Sequence, residues 1–301
     1  MIGQLLADGV LQGATIALGA IGLTITYAIL RFANFAHGEF VTWGAYLALL
    51  VASAAGSELG TEPIGMLTFG WALVAALLVA MALTGALALL LDWALFRRLR
   101  RHGTEIVLVI ASFGASLALR SLVEFAFGTE PRYYTREIAM SVRLAPGIRA
   151  TGDQLVVLGL AAVLMLVMHS VMTRTDLGRA MRAASENPSL ARLAGVDVAG
   201  AMRAAWLLGG ALAAASGVFL GVTVQLRPSM GFDLLLPLFA AAILGGIGSV
   251  PGAVIGGLAI GLAEALSIPL LGAQYRAAVA FFVLLLVLLV RPSGIFGKAT
   301  A

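Results

Sequence analysis

The chain has 301 residues, 61% of them hydrophobic and only 11% charged, against roughly 25% charged in soluble domains. With a mean hydropathy of +1.02, a soluble fold of this length cannot bury so much apolar surface, whereas lipid can accept it as solvent. A formal charge of +4 would raise nucleic acid as a partner for a soluble chain, but here the basic residues cluster between apolar runs, as membrane orientation requires, and the absence of cysteine excludes disulfides and thiolate metal sites.

A membrane-spanning helix needs about 20 mostly apolar residues. Gly9 to Leu30 carries no charge and predicts the first span. The first basic residue, Arg31, follows it, so the start does not read as a cleavable signal peptide, which opens on positive charge. Phe40 to Ser57, Gly65 to Leu91, Ile106 to Phe127, Gln154 to Thr173 and Ala204 to Leu226 predict five more spans. Leu234 to Ala263 is charge-free but broken at Gly245, Gly246, Gly248, Pro251 and Gly252, residues that do not continue a regular helix. Two segments around a tight turn, or one re-entrant element, satisfy that break. Arg276 to Val290 is the last span. The fold class is therefore all-α, a polytopic transmembrane bundle of eight or nine spans.

Arginine placement orients the bundle. Arg97, Arg98, Arg100 and Arg101 crowd one short loop, and Arg174, Arg179, Arg182, Arg192 and Arg203 another. The positive-inside rule puts both in the cytoplasm, with Arg31, Arg291 and Lys298. The N-terminus then falls outside and the C-terminus inside. The loop 128–152 opposes this with Arg132, Arg136, Arg143 and Arg149, partly offset by Glu130 and Glu137; the denser clusters outvote it.

The inner loop 174–203 contains a punctuated short helix. Asn187 suits the N-cap, Pro188 the first helical position and Gly195 the left-handed position after the end. Asp197 suits the cap of the next span. A helix of about two turns is marginal alone in water, so it packs on its own membrane domain or on a partner.

Polar residues at the end of the first span need partners, because unpaired polar groups in a membrane cost several kcal/mol. Asn34, His37 and Glu39 either cap helix ends or form a gate, and Gly38 lets backbones approach. Glu264, about a dozen residues beyond Gly252, lies deep in a span and should line a cavity or meet Arg276. Arg120 and Glu124, at i and i+4, suit a pair on one helix face. His169 sits near the inner end of its span. His37, His102 and His169 are too far apart in sequence for metal-ligand spacing, and no metal or cofactor is expected. A weak echo relates Ala36-His37-Gly38-Glu39 to Val250-Pro251-Gly252, as in transporters with repeated halves.

Three segments together resemble a known family. Arg31-Phe32-Ala33-Asn34-Phe35-Ala36-His37-Gly38-Glu39-Phe40 is similar to the signature after the first span of branched-chain amino-acid ABC importer permeases. Gly178, Arg182-Ala183, Asn187-Pro188, Ala191-Arg192-Leu193 and Gly195-Val196 resemble that family's ATPase-docking loop. Leu244 to Ala253, followed by Gly256-Gly257, resembles its late glycine-rich motif. The resemblance implies one transmembrane permease domain over 1–301, in a bacterial inner membrane. It also implies a second homologous permease, two cytoplasmic ATPases and a periplasmic binding protein as partners, with lipid around them and no nucleic acid. On this reading Glu186, Asn187, Pro188, Ala191, Arg192, Leu193 and Gly195 couple to the ATPase. Asn34, His37, Gly38, Glu39, Gly245, Gly246, Gly248, Pro251, Gly252 and Glu264 are the pathway or gate candidates.

Other functions fit less well. The sequence has no G-x-S-x-G, H-E-x-x-H or paired intramembrane aspartates for an intramembrane enzyme, and no Walker A glycine upstream of Gly297-Lys298. No catalytic residue is therefore expected. A self-sufficient secondary transporter normally shows mid-membrane acids, and only Glu264 suggests one. Related permeases that carry urea or short amides keep the solute open.

Overall fold

Lipid leaves the backbone no outside hydrogen-bond partner, so each apolar run satisfies itself as a helix. The computed structural model describes residues 2–60, 62–100, 103–135, 137, 139–291 and 294–296; Arg101, His102, Arg136 and Lys298 lie outside them. Helix α1 is Ile2–Leu30, α2 His37–Leu59 and α3 Trp71–Leu91, which continues through a π-turn, Asp92–Phe96, into α4, Arg97–Leu99. There follow α5 (Glu105–Phe127), α6 (Gly152–Arg174), two short helices α7 (Asp176–Glu186) and α8 (Pro188–Leu193), and α9 (Val198–Thr223). The chain closes with α10 (Met230–Gly245), α11 (Val250–Leu271) and α12 (Arg276–Val290). Among the described residues eight helical segments are long and apolar enough to cross a membrane, and α10 is a shorter apolar helix. The expected all-α bundle is what forms. The glycine-rich break resolves as two helices around a tight turn: Gly246 and Gly248 take φ of 94° and 88°, and Ser249 caps α11 by accepting from the Gly252 N–H at 3.1 Å.

Several boundaries move, each for a local reason. The third span starts at Trp71 and not at Gly65, because Thr68 is held in a turn by Asp153, whose carboxylate accepts from the Thr68 N–H at 2.8 Å and its hydroxyl at 2.7 Å. At its other end the helix carries on through the π-turn, so Arg97 and Arg98 lie on helix and not in a loop; buried Asp92 pairs with Arg100 at 2.6 Å. The sixth span starts at Val198 and not at Ala204, because Asp197 caps it, accepting from the Gly200 N–H at 2.8 Å. The loop 128–152 holds an antiparallel hairpin, β1 (Ser141–Ala145) and β2 (Ile148–Thr151), which the helical reading did not foresee. Gln4 of α1 clasps β2 through both the N–H and the C=O of Arg149, at 2.8 and 3.0 Å.

Burial separates centre from rim. In the most apolar window of each span, 89% of residues are buried for α1 and 72% for α9, against 22% for α6 and 11% for the last span. α1 is thus the axis, with α9, α10 and α11 packed around it. The two ends of the bundle differ. One carries Arg31, α4, α7, α8 and the turn 246–249, and is called here the arginine-rich face. The other carries the start of α1, residues 62–70 and the β-hairpin, and is called the hairpin face.

Candidate functional site

The first break begins where α1 ends. Arg31 has φ 57°, the only positive value among described non-glycine residues, and its N–H still bonds Tyr27 O at 2.8 Å. The chain then doubles back into the bundle. The Phe35 N–H donates to Ser112 Oγ at 3.0 Å, and Asn34 Oδ1 accepts from the Ala36 N–H at 3.2 Å. α2 starts at His37, whose Nε2 donates to Gly19 O at 3.0 Å. Gly19 lies about three turns short of the end of α1, so α2 begins inside the bundle.

The second break mirrors the first. After α9 the chain turns inward, and Leu226 pairs with Arg132 of the loop through both backbone bonds, at 2.9 and 2.8 Å. α10 starts at Met230, and the Gly231 N–H donates to Thr42 Oγ1 of α2 at 3.0 Å. Gly38 and Gly231 face each other so closely that a Cβ on either would overlap the other's carbonyl. From this shared point α2 runs to the hairpin face and α10 to the arginine-rich face, where the Gly248 N–H donates to Thr24 Oγ1 at 2.7 Å. α2 and α10 thus start side by side within the bundle and run in opposite directions. His37-Gly38 lies against Met230-Gly231, while the Val250-Pro251-Gly252 turn packs on Gly245.

Charge is concentrated at this centre. Glu39 is wholly buried, and its Oε1 accepts from Ser116 Oγ and from an Arg120 terminal nitrogen, each at 3.1 Å. Arg120 also stacks over Phe232 of α10, 4.3 Å from its centroid. The anticipated Arg120–Glu124 pair gives way to this one: an acid buried on α2 has more to gain from the guanidinium than a half-exposed one on the same helix, since an unpaired buried charge costs about 3–5 kcal/mol. Glu264 sits elsewhere, on α11. It accepts from Gln12 at 2.5 Å, and Gln12 in turn accepts from Arg276 at 3.5 Å, so the amide stands between the acid and the arginine it was expected to meet. Of the gate candidates, Asn34, His37, Gly38 and Glu39 come together at the first break. Gly245, Gly246, Gly248, Pro251 and Gly252 form a separate turn nearer the arginine-rich face, and Glu264 is a third locus.

The short helix α8 is built as the spacing suggests. Asn187 Oδ1 accepts from the Ser189 and Leu190 N–H groups at 3.1 and 3.0 Å. Gly195 has φ 82°, and the Val196 N–H returns to Ala191 O at 2.9 Å, closing the end as a left-handed cap requires. Ala191 is buried, which makes it an anchor to the chain's own body and not a surface contact. Leu190 and Leu193 point outward, 62% and 86% exposed. Arg192 folds back onto Pro188 O at 3.2 Å. Glu186 and Asn187 form the joint with α7.

Sequence reasoning missed α7, although Thr175 and Gly178 carry its cap signal: Thr175 Oγ1 accepts from the Gly178 N–H at 3.1 Å. It also missed the role of the Arg31 side chain, which donates to Ser185 O and Glu186 O at 3.0 and 2.9 Å. These are the last carbonyls of α7, immediately before α8. A left-handed non-glycine residue costs roughly 1–2 kcal/mol, and two hydrogen bonds from a charged donor outweigh that at about 1.5–3 kcal/mol each. Position 31 thus carries an arginine where a helix end usually carries glycine.

Residues 5–290 match the family model described as branched-chain amino acid transport system / permease component. The chain is 33% identical to the high-affinity branched-chain amino acid transport system permease protein BraD of Pseudomonas aeruginosa, covering 98% of this chain and 95% of that protein. It is 34% identical to the corresponding permease protein LivH of Escherichia coli K12, with the same coverage. It is 27% identical to a probable LivH of Methanocaldococcus jannaschii, covering 98% and 92%.

Proposed function

We propose, from the premise that this chain belongs to the family of branched-chain amino-acid transport system permease components, that it forms half of the translocation pathway of an ATP-driven importer. It is a multi-pass membrane permease. Its solute is a branched-chain or related amino acid, delivered by a periplasmic binding protein. A second permease completes the pathway, and two ATPases bind at the arginine-rich face, which lies in the cytoplasm with the C-terminus; the N-terminus lies outside. ATP hydrolysis belongs to the partners.

The observation that supports coupling best is the linkage at Arg31. α8, with Leu190 and Leu193 outward, is the docking surface. Its joint with α7 is held by the Arg31 guanidinium. Arg31 opens the segment that dives to His37 and the Gly38–Gly231 contact. When the ATPases close and move α8, the Arg31 side chain gives the displacement a direct route to the start of α2, beside the packing of α7 on α1 and α9. ATP biases the inward-open and outward-open states by its differential affinity for them.

The test is reconstitution. The complex carrying both permeases, the ATPases and the binding protein accumulates amino acid in liposomes only with ATP. Accumulation by this chain alone, driven by an ion gradient, contradicts the reading.

A further inference from the structure

The charged centre has an open side. Arg120 is about two-thirds of the way along α5, and its side chain is 20% exposed while Glu39 beneath it is 0% exposed. One terminal nitrogen of the guanidinium serves Glu39, and an arginine has five N–H donors; Nε is buried without a partner among the described residues, so a ligand would meet the terminal nitrogens. Phe232, whose ring the guanidinium covers, is 40% exposed. The next residue, Asp233, is exposed in the first turn of α10 and accepts from Ser229 Oγ at 3.2 Å. An exposed aspartate and a partly exposed arginine inside the bundle would face hydrocarbon if the surface met lipid, at a cost of several kcal/mol for each charge. Their surface therefore faces water or another protein. α5 packs chiefly on α2 within this chain, and so leaves this side free.

We propose that Arg120, Phe232 and Asp233 are this chain's half of a waypoint for a zwitterionic solute within the pathway. Arg120 takes the carboxylate, Asp233 the ammonium group, and Phe232 packs against the aliphatic side chain. The chemistry matches an α-amino acid with an apolar side chain: a cationic group on α5, and an aromatic ring and an acid at successive exposed positions of α10. Glu39 is the positioning residue that holds Arg120 in place. This inference rests on the transport reading above.

The test uses the chain's lack of cysteine. In the whole complex, Phe232→Cys is labelled with a water-soluble thiol reagent and compared with Ala118→Cys, which is exposed on α5 about 200° around the helix from Arg120. The labelling is read on this chain by mass. Phe232→Cys is expected to react, Ala118→Cys to stay protected by lipid, and millimolar leucine to slow the first, whereas isoamylamine, which lacks the carboxylate, does not. In a Phe232→Cys, Asp233→Asn chain the leucine concentration needed for protection rises about tenfold, the loss of one charged hydrogen bond. Equal reactivity at the two cysteines, or equal protection by leucine and isoamylamine, overturns the waypoint. If Asp233→Asn strips the second permease from the complex, the surface is a subunit interface and the waypoint falls with it. ATP-driven uptake by the unsubstituted complex in the same preparation shows whether the transport reading stands independently.

Discussion

The two inward-turning segments meet at one pair of glycines but are tied to the rest of the chain by different means. The segment after α9 is held by backbone: Leu226 and Arg132 exchange both ladder bonds. It is backed by Tyr134, whose hydroxyl donates to Ala45 O at 2.8 Å; burial beside Tyr46 pushes this phenol well above its ordinary range, so it stays a neutral donor. The segment after α1 is held through side chains: Ser112 accepts from the Phe35 N–H, His37 reaches Gly19 O, and Arg31 sits on the carbonyls at the end of α7. A backbone ladder fixes position; a guanidinium on two carbonyls can be made and broken between states and can also be deleted without changing the main chain. On the transport reading proposed above, the ladder anchors the molecule and the guanidinium is where it is driven.

Substitutions in the two segments test this contrast. The largest effect is expected at the point common to both segments. Gly231→Val places a branched side chain in the Gly38 carbonyl, and overpacking of a backbone contact costs about 1–3 kcal/mol or more; the detergent-solubilised chain should lose its monodisperse peak and its assembly with partners. Gly195→Val strains φ 82° by roughly 1–2 kcal/mol and unwinds the end of α8, so membrane insertion should persist while uptake in liposomes falls. Asn187→Ala removes the cap of α8 at about 1 kcal/mol and should give a weaker version of the same loss, read as fewer solute molecules moved per ATP. The smallest effect belongs to the backbone-tied side. Tyr134→Phe deletes one hydrogen bond worth about 1 kcal/mol, and should lower the melting temperature slightly with uptake nearly unchanged. If Tyr134→Phe instead abolished uptake and Gly195→Val did not, the assignment of anchored and driven sides would be reversed.

Much of this was legible in the sequence because composition and caps are local signals. The run Gly9–Leu30 states its own helix, and Asn187-Pro188 with Gly195 states both ends of α8. The centre was only half legible. Asn34, His37 and Glu39 announced a break, but the companion break at Val224–Ser229 carries a single proline, Pro228, and no buried acid, so nothing in its composition sets it apart from an ordinary loop. Arg120 was misread for a related reason: i, i+4 spacing is visible in a sequence, while its true partner Glu39 lies on another helix and is identified only by packing. The role of Arg31 was hidden because its charge fits the positive-inside pattern, and a left-handed arginine cannot be told from a helical one by composition. The β-hairpin escaped notice inside a loop read only for its charge.

The most direct test of the driven side is Arg31→Gly in the reconstituted complex, with uptake and ATP hydrolysis measured together. Glycine suits φ 57° at least as well as arginine, so the end of α1 is preserved and only the tether is lost. The account predicts that hydrolysis continues while solute moved per ATP falls by about tenfold or more, the scale of one charged hydrogen bond. A ratio unchanged from that of the unsubstituted complex would contradict it.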